Sequence, residues 1–447
     1  MLPRDFRRIK VSLISMICNT PLRRFTLGKP FRTPGTTTGV HLLVALGTVG
    51  FLGGCGPQAS TDAWAVPAVA VTAPAALGSR YPNLASRPDG SAVLSWVAPA
   101  SDGAHALQFS TWTGDGWTAP MTVRTGAGWF VNWADFASVI PFENGLWAAH
   151  WLEQRPGNVY SYDVRIAVSR DDGRSWSAPM SPHDDGTPTE HGFVSMIGTG
   201  DGLTAVWLDG RNTGGGDHEA THGSAAGAMT LRTVEVDKLG RIRGGGETEL
   251  DARACDCCQT DVASSSEGLI VAYRDRDEGE IRDISVVRAT DAGWSAPSRV
   301  HRDDWRITAC PVNGPAIAAH GRTVAVAWFT APDQPRIRLA FSDDAGRSFA
   351  PPLEIAAGRV AGRVDLLLLD DQRAVVSWLA DGAQGAEIRA QLWTRSDAVG
   401  SPIVVATTTV DRGAGFPRMT RSGNALLFAW TDVAATPAVH TSIVRLR

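Results

Sequence analysis

Cysteine and tyrosine are scarce in this sequence, with six and four copies among 447 residues. Apolar stretches are short, and the run "VHLLVALGTVGF" at residues 40–51 is too brief to span a bilayer comfortably. No helical spacing of apolar residues is sustained beyond it, which argues against a helical bundle. Positive charge is also scarce, because the chain after residue 54 has 34 basic and 45 acidic residues, a net charge of −11. A chain this acidic is a poor partner for nucleic acid.

The first 55 residues have the order of parts found in a bacterial lipoprotein leader. Eight basic residues precede the apolar run, and the small-residue sequence "LGGC" at residues 52–55 follows it. We therefore predict that residues 1–54 are removed, that Cys55 carries lipid, and that residues 55–61 form a tether. The predicted location is the bacterial envelope, facing the periplasm from the outer membrane, with lipid as the only membrane contact. An ordinary secretory signal is the alternative.

The rest of the chain repeats with a period near 55 residues. In each repeat a turn precedes alternating β-branched and apolar residues that lead to an aromatic residue, as in "DGSAVLSW" and "GRTVAVAW". The aromatic residues at this position are Trp96, Trp151, Trp207, Tyr273, Trp328, Trp378 and Trp430. Short strands at this spacing predict an all-β propeller of four-stranded blades, a single domain over residues 62–447 and a monomer.

The number of repeats predicts seven blades, with six as the alternative. The seventh repeat ends one strand short at the C-terminus, and residues 62–73 read as an outer strand with no inner strands before it. We expect this N-terminal strand to complete the last blade, because that closes the ring and leaves no open sheet edge.

A second motif lies between the aromatic positions, with the pattern Ser-x-Asp-x-Gly-x-x-aromatic in "SRDDGRSWSAP" and "SDDAGRSFAPP". The aspartate can accept backbone N–H groups in a tight hairpin, the glycine permits positive φ, and the aromatic ring fills the gap between strands. The motif residues are Ser169, Asp171, Gly173 and Trp176, and then Ser342, Asp344, Gly346 and Phe349. This motif resembles the Asp-box, or BNR repeat, of the sialidase-like propeller superfamily. The resemblance implies a structural role on the face away from an active site.

Alternating strand direction predicts which loops share a face. Loops between the second and third strands of a blade lie on the same side as the connections between blades. This rule collects the polar segments on one face, which we interpret as the binding or catalytic face. They include "SPHDDGTPTEHGF" (181–193), "RACDCCQTD" (253–261), "RDRDEGEIRD" (274–283) and "HRDDWRITACPVNG" (301–314).

Four cysteines fall on that face, with Cys255, Cys257 and Cys258 in one connection and Cys310 in the next. An oxidising compartment favours disulfides that staple adjacent blades. Thiolate ligation of copper or zinc, with His218 and His222 of "HEATH" as further ligands, is a second interpretation. A thiol–disulfide exchange pair at Cys255 and Cys258 is a third. His183 and His191, in the neighbouring loop, support the metal interpretation only modestly.

The sialidase resemblance also implies a carboxylate-binding set of arginines. "SRYP" at residues 79–82 keeps the Arg and Pro of the family's first arginine motif, and the implied set is Arg80, Arg211, Arg274 and Arg282. Asp135 is the candidate acid/base group and Glu190, or Glu280, the orienting carboxylate. The family's nucleophile is a tyrosine of a late blade, whereas no tyrosine follows Tyr273 here, so Tyr160 or Tyr162 would have to serve.

Three functions therefore stay open. The first is binding or hydrolysis of a carboxylate-bearing glycan or other envelope component, as an exo-glycosidase of sialidase type if the chain is an enzyme, with Trp129, Trp133 and Trp305 for stacking. The second is metal binding or thiol redox chemistry at the cysteines. The third is a non-enzymatic scaffold whose loops are held by disulfides.

Overall fold

The computed structural model describes Trp64 and residues 67–156, 158–214, 227–383, 385–433 and 435–447. These residues form antiparallel strands, with three single-turn 3₁₀ helices at Ser101–Gly103, Glu143–Gly145 and Arg412–Ala414. None of the helices in this part of the chain has the length and apolar character that crossing a membrane requires.

The strands assemble into seven sheets, which are the predicted blades. The first strand along the chain is β1 (Val69–Val71). Blade 1 contains β2 (Arg80–Ser86), β3 (Ala92–Pro99), β4 (His105–Thr111) and β5 (Met121–Gly126). Blade 2 contains β6 (Ser138–Pro141), β7 (Trp147–Gln154) and β8 (Tyr162–Ser169). Blade 3 contains β9 (His191–Thr199), β10 (Gly202–Asp209), β11 (Met229–Asp237) and β12 (Thr248–Ala254).

Blade 4 contains β13 (Asp261–Ser265), β14 (Gly268–Arg274), β15 (Ile284–Thr290), β16 (Gly293–Trp294) and β17 (Ser298–Arg299). Blade 5 contains β18 (Ala316–His320), β19 (Thr323–Thr330), β20 (Arg336–Ser342) and β21 (Leu353–Ala357). Blade 6 contains β22 (Val360–Leu368), β23 (Arg373–Gly382), β24 (Gly385–Thr394) and β25 (Ala398–Thr408). Blade 7 contains β26 (Arg418–Ser422), β27 (Ala425–Asp432), β28 (Ala438–Arg445) and β1.

Two blades depart from the four-stranded plan at their outer edge. In blade 2 the fourth strand is reduced to one bridge between Ile166 and Met180. In blade 4 it is split into β16 and β17, which both pair with β15. The prediction of seven blades is confirmed.

The N-terminal strand closes the ring as predicted. β1 pairs antiparallel with β28, with Val69 opposite Ile443, and Trp64 forms a further bridge with Leu446. The outermost strand of blade 7 therefore comes from the other end of the chain.

The apolar core is divided among the interfaces between neighbouring blades. Seven clusters of buried side chains are present in the described residues, and each draws on two adjacent blades. The seven repeat aromatics all lie on the second strand of their blades and are buried. Central strands are buried on both faces because each blade is sandwiched between two others, and β3 and β10 have almost no exposed residue.

Hydrogen bonds between loops define the face that carries the polar segments. The Cys255 N–H donates to the Arg274 carbonyl, and the Arg282 N–H donates to the Trp305 carbonyl. The connections 253–261 and 301–314 and the hairpin loop 274–283 therefore meet at one end of the blades, as the alternation of strand direction predicts. We call this end the loop face.

Candidate functional site

The four cysteines on the loop face come together. Cys255 Sγ lies 3.4 Å from Cys258 Sγ and 3.9 Å from Cys257 Sγ, and all three thiols are buried between blades 3 and 4. Cys310, which is half-buried, packs against this group and hydrogen-bonds to Cys257. No disulfide joins these four residues, because a bonded pair would bring its sulfurs to about 2.05 Å. We call Cys255, Cys257, Cys258 and Cys310 the thiol cluster.

Three arginines lie beneath the thiol cluster, and all of them are buried. Arg282 Nη1 donates to Cys255 Sγ over 3.2 Å, and its other nitrogens bind Glu280. Arg276 binds Asp256 and Glu280. Arg274 is different, because its guanidinium donates to the backbone carbonyls of residues 282, 313 and 329 and to none of the described carboxylates.

Within the described part of the chain, the ion pairs of these three guanidinium groups involve two carboxylates, Asp256 and Glu280, in a buried region. A buried excess charge is costly unless a counter-ion neutralises it. Burial alone would raise the pKa of the Cys255 thiol, but hydrogen bonds from Cys257 and Cys258 and the charges of Arg282 and Arg274 hold it well below its usual value. The Cys255 thiolate is that counter-ion.

The other two buried thiols respond in the opposite direction. Burial, followed by the neighbouring Cys255, raises the pKa of both Cys257 and Cys258. The surroundings therefore favour the thiolate form at Cys255 and the thiol form at Cys257 and Cys258, a combination with a net charge of −1.

The structure separates the four arginines of the implied carboxylate clamp. Arg274 and Arg282 lie side by side, but their donors are taken by the contacts above. Arg211, in blade 3, binds Asp209 and Glu247. Arg80 begins β2 in blade 1 and lies over the Tyr81 ring. A substrate carboxylate could reach Arg274 or Arg282 only by displacing buried protein contacts.

The aromatic side chains proposed for sugar stacking are mostly packed inside. Trp129 is buried and stacked on Trp151, and Trp305 is buried under the Arg274 guanidinium. Trp133 is half-buried and stacks on Phe416. Of the three, Trp133 presents the most accessible ring.

Asp135 and Glu190 meet on the two sides of one tyrosine. The Tyr162 hydroxyl oxygen lies 2.9 Å from Asp135 Oδ2 and 2.6 Å from Glu190 Oε1, and Tyr162 is fully buried under Phe130. Gly192 makes room for this group, since a Cβ atom there would come within 1.8 Å of Asp135 Oδ2.

A phenol has one proton, so it cannot donate to both carboxyl groups at once. Burial raises the pKa of Asp135 to about 8, against the opposing effect of the hydrogen bond from the Phe193 N–H. The raised pKa favours the protonated form of Asp135 at neutral pH. The Tyr162 hydroxyl is the donor within reach of both carboxyl groups, and its single proton serves one of them at a time.

Asp135 also borders a cavity on the propeller axis. The cavity has a volume of about 100 Å³ and is lined by residues of all seven inner strands or the segments that lead into them, including Asn83, Ser138, Asp261 and Arg418. A water molecule occupies about 30 Å³ of liquid, so the cavity holds roughly three waters. A sugar ring would have to lie at its mouth.

A second buried cluster of ligand-type side chains lies between blades 2 and 3. It contains Asp163, His183, Asp185, His191 and Asp209, with the two imidazole rings stacked at 3.8 Å. Sequence reasoning named the two histidines only as weak support for the cysteine site and missed the three aspartates. The available signal was the density of His, Asp and Glu in "SPHDDGTPTEHGF".

The two turns with the Asp-box pattern lie far from both clusters. Asp171 accepts the Ser175 N–H and Asp344 accepts the Ser348 N–H, and Gly173 and Gly346 have φ near +80°. β8 runs from Tyr162 to Ser169, about 23 Å at 3.3 Å per residue, so the Asp171 turn is at the end opposite Tyr162. The rings of Trp176 and Phe349 pack against the apolar clusters of their interfaces.

Three of the predicted functional residues lie outside the described residues. These are Cys55, His218 and His222.

No family model matches this sequence, and neither does any curated protein. Several solved structures are similar to this chain in fold. A protein of unknown function from Dyadobacter fermentans is 15% identical, with a TM-score of 0.49, over 86% of this chain and 98% of that one. A polysaccharide lyase described as an ulvan lyase is 13% identical, with a TM-score of 0.44, over 72% and 80%. The NanB sialidase of Streptococcus pneumoniae is 10% identical, with a TM-score of 0.43, over 83% and 69%. Identities this low do not transfer an activity.

Proposed function

We propose that the loop face of this propeller binds a thiophilic metal ion, zinc or copper(I), through the thiol cluster. The observation that carries this proposal is the spacing of three buried sulfurs beside the Arg282 guanidinium. Sulfurs bound tetrahedrally to zinc at 2.3 Å lie about 3.8 Å from one another, and the separations of 3.4 and 3.9 Å fall on either side of that value.

Charge balance favours a metal complex of this kind. Three thiolates around one divalent ion carry a net charge of −1, and so do two thiolates around one copper(I). The metal-free cluster with a single thiolate also carries −1, so metal binding with loss of thiol protons leaves the balance with the three arginines unchanged. Soft thiolate ligands suit both ions, and half-buried Cys310 is the candidate for a fourth ligand.

Metal analysis combined with thiol titration tests this proposal. We expect the thiol cluster of the purified chain to hold close to one equivalent of zinc or copper, so that the clustered thiols react only after a strong chelator is added. Cys258→Ser should lose the metal, whereas Cys310→Ser should retain it with weaker affinity. A chain that takes up neither ion while its clustered thiols react freely would contradict the proposal. Two disulfides would instead favour the scaffold function.

We propose as a second function that the mouth of the axial cavity binds, or cleaves, a carboxylate-bearing glycan. What supports it is Asp135, a carboxyl group that lines the cavity and whose pKa burial raises to about 8, as a general acid requires. To protonate a leaving group, Asp135 would have to exchange its contact with the Tyr162 hydroxyl for one with the substrate. A fluorogenic sialoside and a panel of acidic glycans provide the assay. Asp135→Asn should abolish cleavage and spare binding, and Asp344→Asn on the opposite face is the control. If the wild-type chain neither binds nor cleaves any of these glycans, this proposed function is wrong.

The envelope location belongs to the proposal as well. Lipid on Cys55 would hold the propeller at a membrane surface, and metabolic labelling with a radioactive fatty acid tests it. Label in the wild-type chain that disappears in Cys55→Ser is the expected result.

A further inference from the structure

The cluster between blades 2 and 3 does not take part in either proposed function. His183 and Asp185 come from the connection between these blades, His191 begins β9, and Asp209 ends β10. His191 is fully buried, as is Asp209, and the Asp185 side chain is 7% exposed. Such a set of imidazole and carboxylate groups is costly to bury unless every polar atom has a partner.

Backbone contacts fix the tautomers of both histidines. His191 Nδ1 lies 3.2 Å from the Tyr162 carbonyl oxygen, which can only accept, so Nδ1 carries a proton. The Val164 N–H donates to His183 Nε2, so that nitrogen is bare and His183 Nδ1 carries the proton, 3.5 Å from Asp185 Oδ1. The remaining nitrogen, His191 Nε2, is directed at two carboxylates.

His191 Nε2 lies 3.1 Å from Asp185 Oδ1 and 3.7 Å from Asp209 Oδ2. The first distance is that of an ion pair, and Asp185 and Asp209 raise the pKa of His191 against the opposing effect of burial. By strict hydrogen-bond geometry, however, Nε2 and Asp185 Oδ1 are both buried atoms without a partner. Two ligands about 2.1 Å from one metal ion and about 3.1 Å apart subtend an angle of about 95° at the ion, which is compatible with the separation of these two atoms. A metal ion shared by His191 and Asp185 would give each of the two atoms a partner.

The charges around this pair leave room for a cation. Asp185, Asp209 and Glu247 all contact the Arg211 guanidinium, and Arg232, which also contacts Glu247, is paired with Glu249. Asp163 contacts two further guanidinium groups, those of Arg155 and Arg165. Asp209 Oδ2 is held in place by the Trp207 indole N–H and by Arg211, and Asp185 Oδ2 accepts a hydrogen bond from Thr187. These contacts orient the two candidate ligand oxygens.

We propose that His191 Nε2, Asp185 Oδ1 and Asp209 Oδ2 form a second metal site, independent of the thiol cluster, for a first-row divalent ion. One imidazole and two carboxylates are ligands of intermediate hardness, which suit Zn²⁺, Mn²⁺ or Co²⁺ better than copper(I). His183 is a positioning residue, because it stacks on His191 and its Nδ1–H faces Asp185. The remaining positions on the ion would be filled by water or a ligand oxygen.

Cobalt(II) titration of the chelator-treated full chain separates the two sites. Thiolate ligands give Co²⁺ an intense near-ultraviolet charge-transfer band, whereas nitrogen and oxygen ligands give only weak visible bands. We expect the wild-type chain to bind one equivalent of Co²⁺ that adds nothing to the charge-transfer band. Asp185→Asn and Asp209→Asn should each remove that equivalent and leave any charge-transfer band unchanged. If the thiol cluster does not bind metal, the charge-transfer band will be absent, but the equivalent of Co²⁺ bound by nitrogen and oxygen ligands will remain.

Asp184→Asn is the matched control, because Asp184 is the exposed neighbour of Asp185 in the same loop. It should bind as much Co²⁺ as the wild-type chain. Melting temperatures measured without metal identify an aspartate variant that fails to fold. In that case the Co²⁺ titration is repeated with His191→Gln in place of that variant. The proposal would be overturned if every equivalent of Co²⁺ that the wild-type chain binds contributed to the charge-transfer band. It would also be overturned if the variants at Asp185 and Asp209 bound the wild-type amount.

Discussion

The thiol cluster and the His191–Asp185–Asp209 group are built in the same way but have opposite charge balance. Each lies at the loop-face end of one blade interface and collects side chains from a connection between blades and its neighbours. Among the described residues, three guanidiniums face two carboxylates at the thiol cluster, whereas at the other group three carboxylates share one guanidinium, that of Arg211.

The difference teaches that the surrounding charges, and not only the ligands, select what a site binds. An excess of positive charge favours an anionic thiolate complex, because the complex supplies the missing negative charge. An excess of negative charge favours a bare cation on neutral imidazole and carboxylate ligands. If both proposed sites bind metal, one propeller would keep two ions of different softness apart without any difference in backbone architecture.

Of the substitutions considered, removal of the Arg274 guanidinium is expected to lower the stability of the protein most. Arg274→Met leaves the carbonyl groups of residues 282, 313 and 329 without donors in the interior, and each such loss costs about 1–3 kcal/mol. We expect the free energy of unfolding to fall by about 3–5 kcal/mol, as for other broken buried charge networks. Urea denaturation measures it.

Arg359→Met is the control for that experiment. Arg359 is 71% exposed in its pair with Asp381, so the change should cost no more than about 0.5 kcal/mol. Equal losses from the two substitutions would show that Arg274 has no special place in the thiol cluster.

Asp135 lies between the two regions, and its titration makes the stability of the protein depend on pH. Its segment packs against the thiol cluster through Ala134, and its carboxyl contacts Tyr162, whose carbonyl binds His191. The folded pKa of about 8 is above the unfolded value near 3.8, so the folded state binds the proton more tightly. This contribution to stability is full below about pH 4 and is lost as pH rises through 8.

Asparagine mimics the protonated acid, so Asp135→Asn should remove this loss. We expect its stability relative to the wild-type chain to increase by on the order of 4 kcal/mol between pH 5 and pH 8, which is about 1.4 kcal/mol for each pH unit. Unfolding curves at several pH values measure the difference. A difference that stays constant with pH would show that Asp135 is ionised in the folded protein.

The smallest effect is expected at the opposite end of the blades. Ser175 donates to Asp171 in an exposed turn, and Ser175→Ala should cost about 0.5 kcal/mol. Metal content should stay at the wild-type value, since this turn is about 23 Å from Tyr162 along β8. A change in metal content would mean that the two ends of the blades are coupled.

The fold was predictable because its signal is local and repeated. Each aromatic residue of the repeat marks the buried second strand of a blade, and seven copies make the pattern clear even where one of them, Tyr273, differs from the others. The closing strand β1 was predictable for a related reason, because a ring with one strand missing needs an outer strand from elsewhere.

The candidate site was predictable only where its residues are dense in the chain. Three cysteines within four positions attract notice, and so the thiol cluster was found. Asp163, Asp185 and Asp209 belong to separate segments, and aspartate is too common to mark a site. The burial of Arg274 also depends on distant partners, since the carbonyls of residues 313 and 329 capture its guanidinium. Local sequence cannot show whether such a side chain points outward or inward.

The pairing of β1 with β28 has a consequence for how the protein acquires its structure. Val69 and Ile443 are partners, so this contact cannot form before the last blade exists. Closing so long a loop is slow and costs entropy before any of its contacts form. During synthesis the three residues of β1 are unpaired until β28 has been made. The outer edge of blade 7 is exposed until β1 pairs with it. Ring closure is therefore expected to be a late step of folding, and an incompletely synthesised chain would expose the edge through which it aggregates.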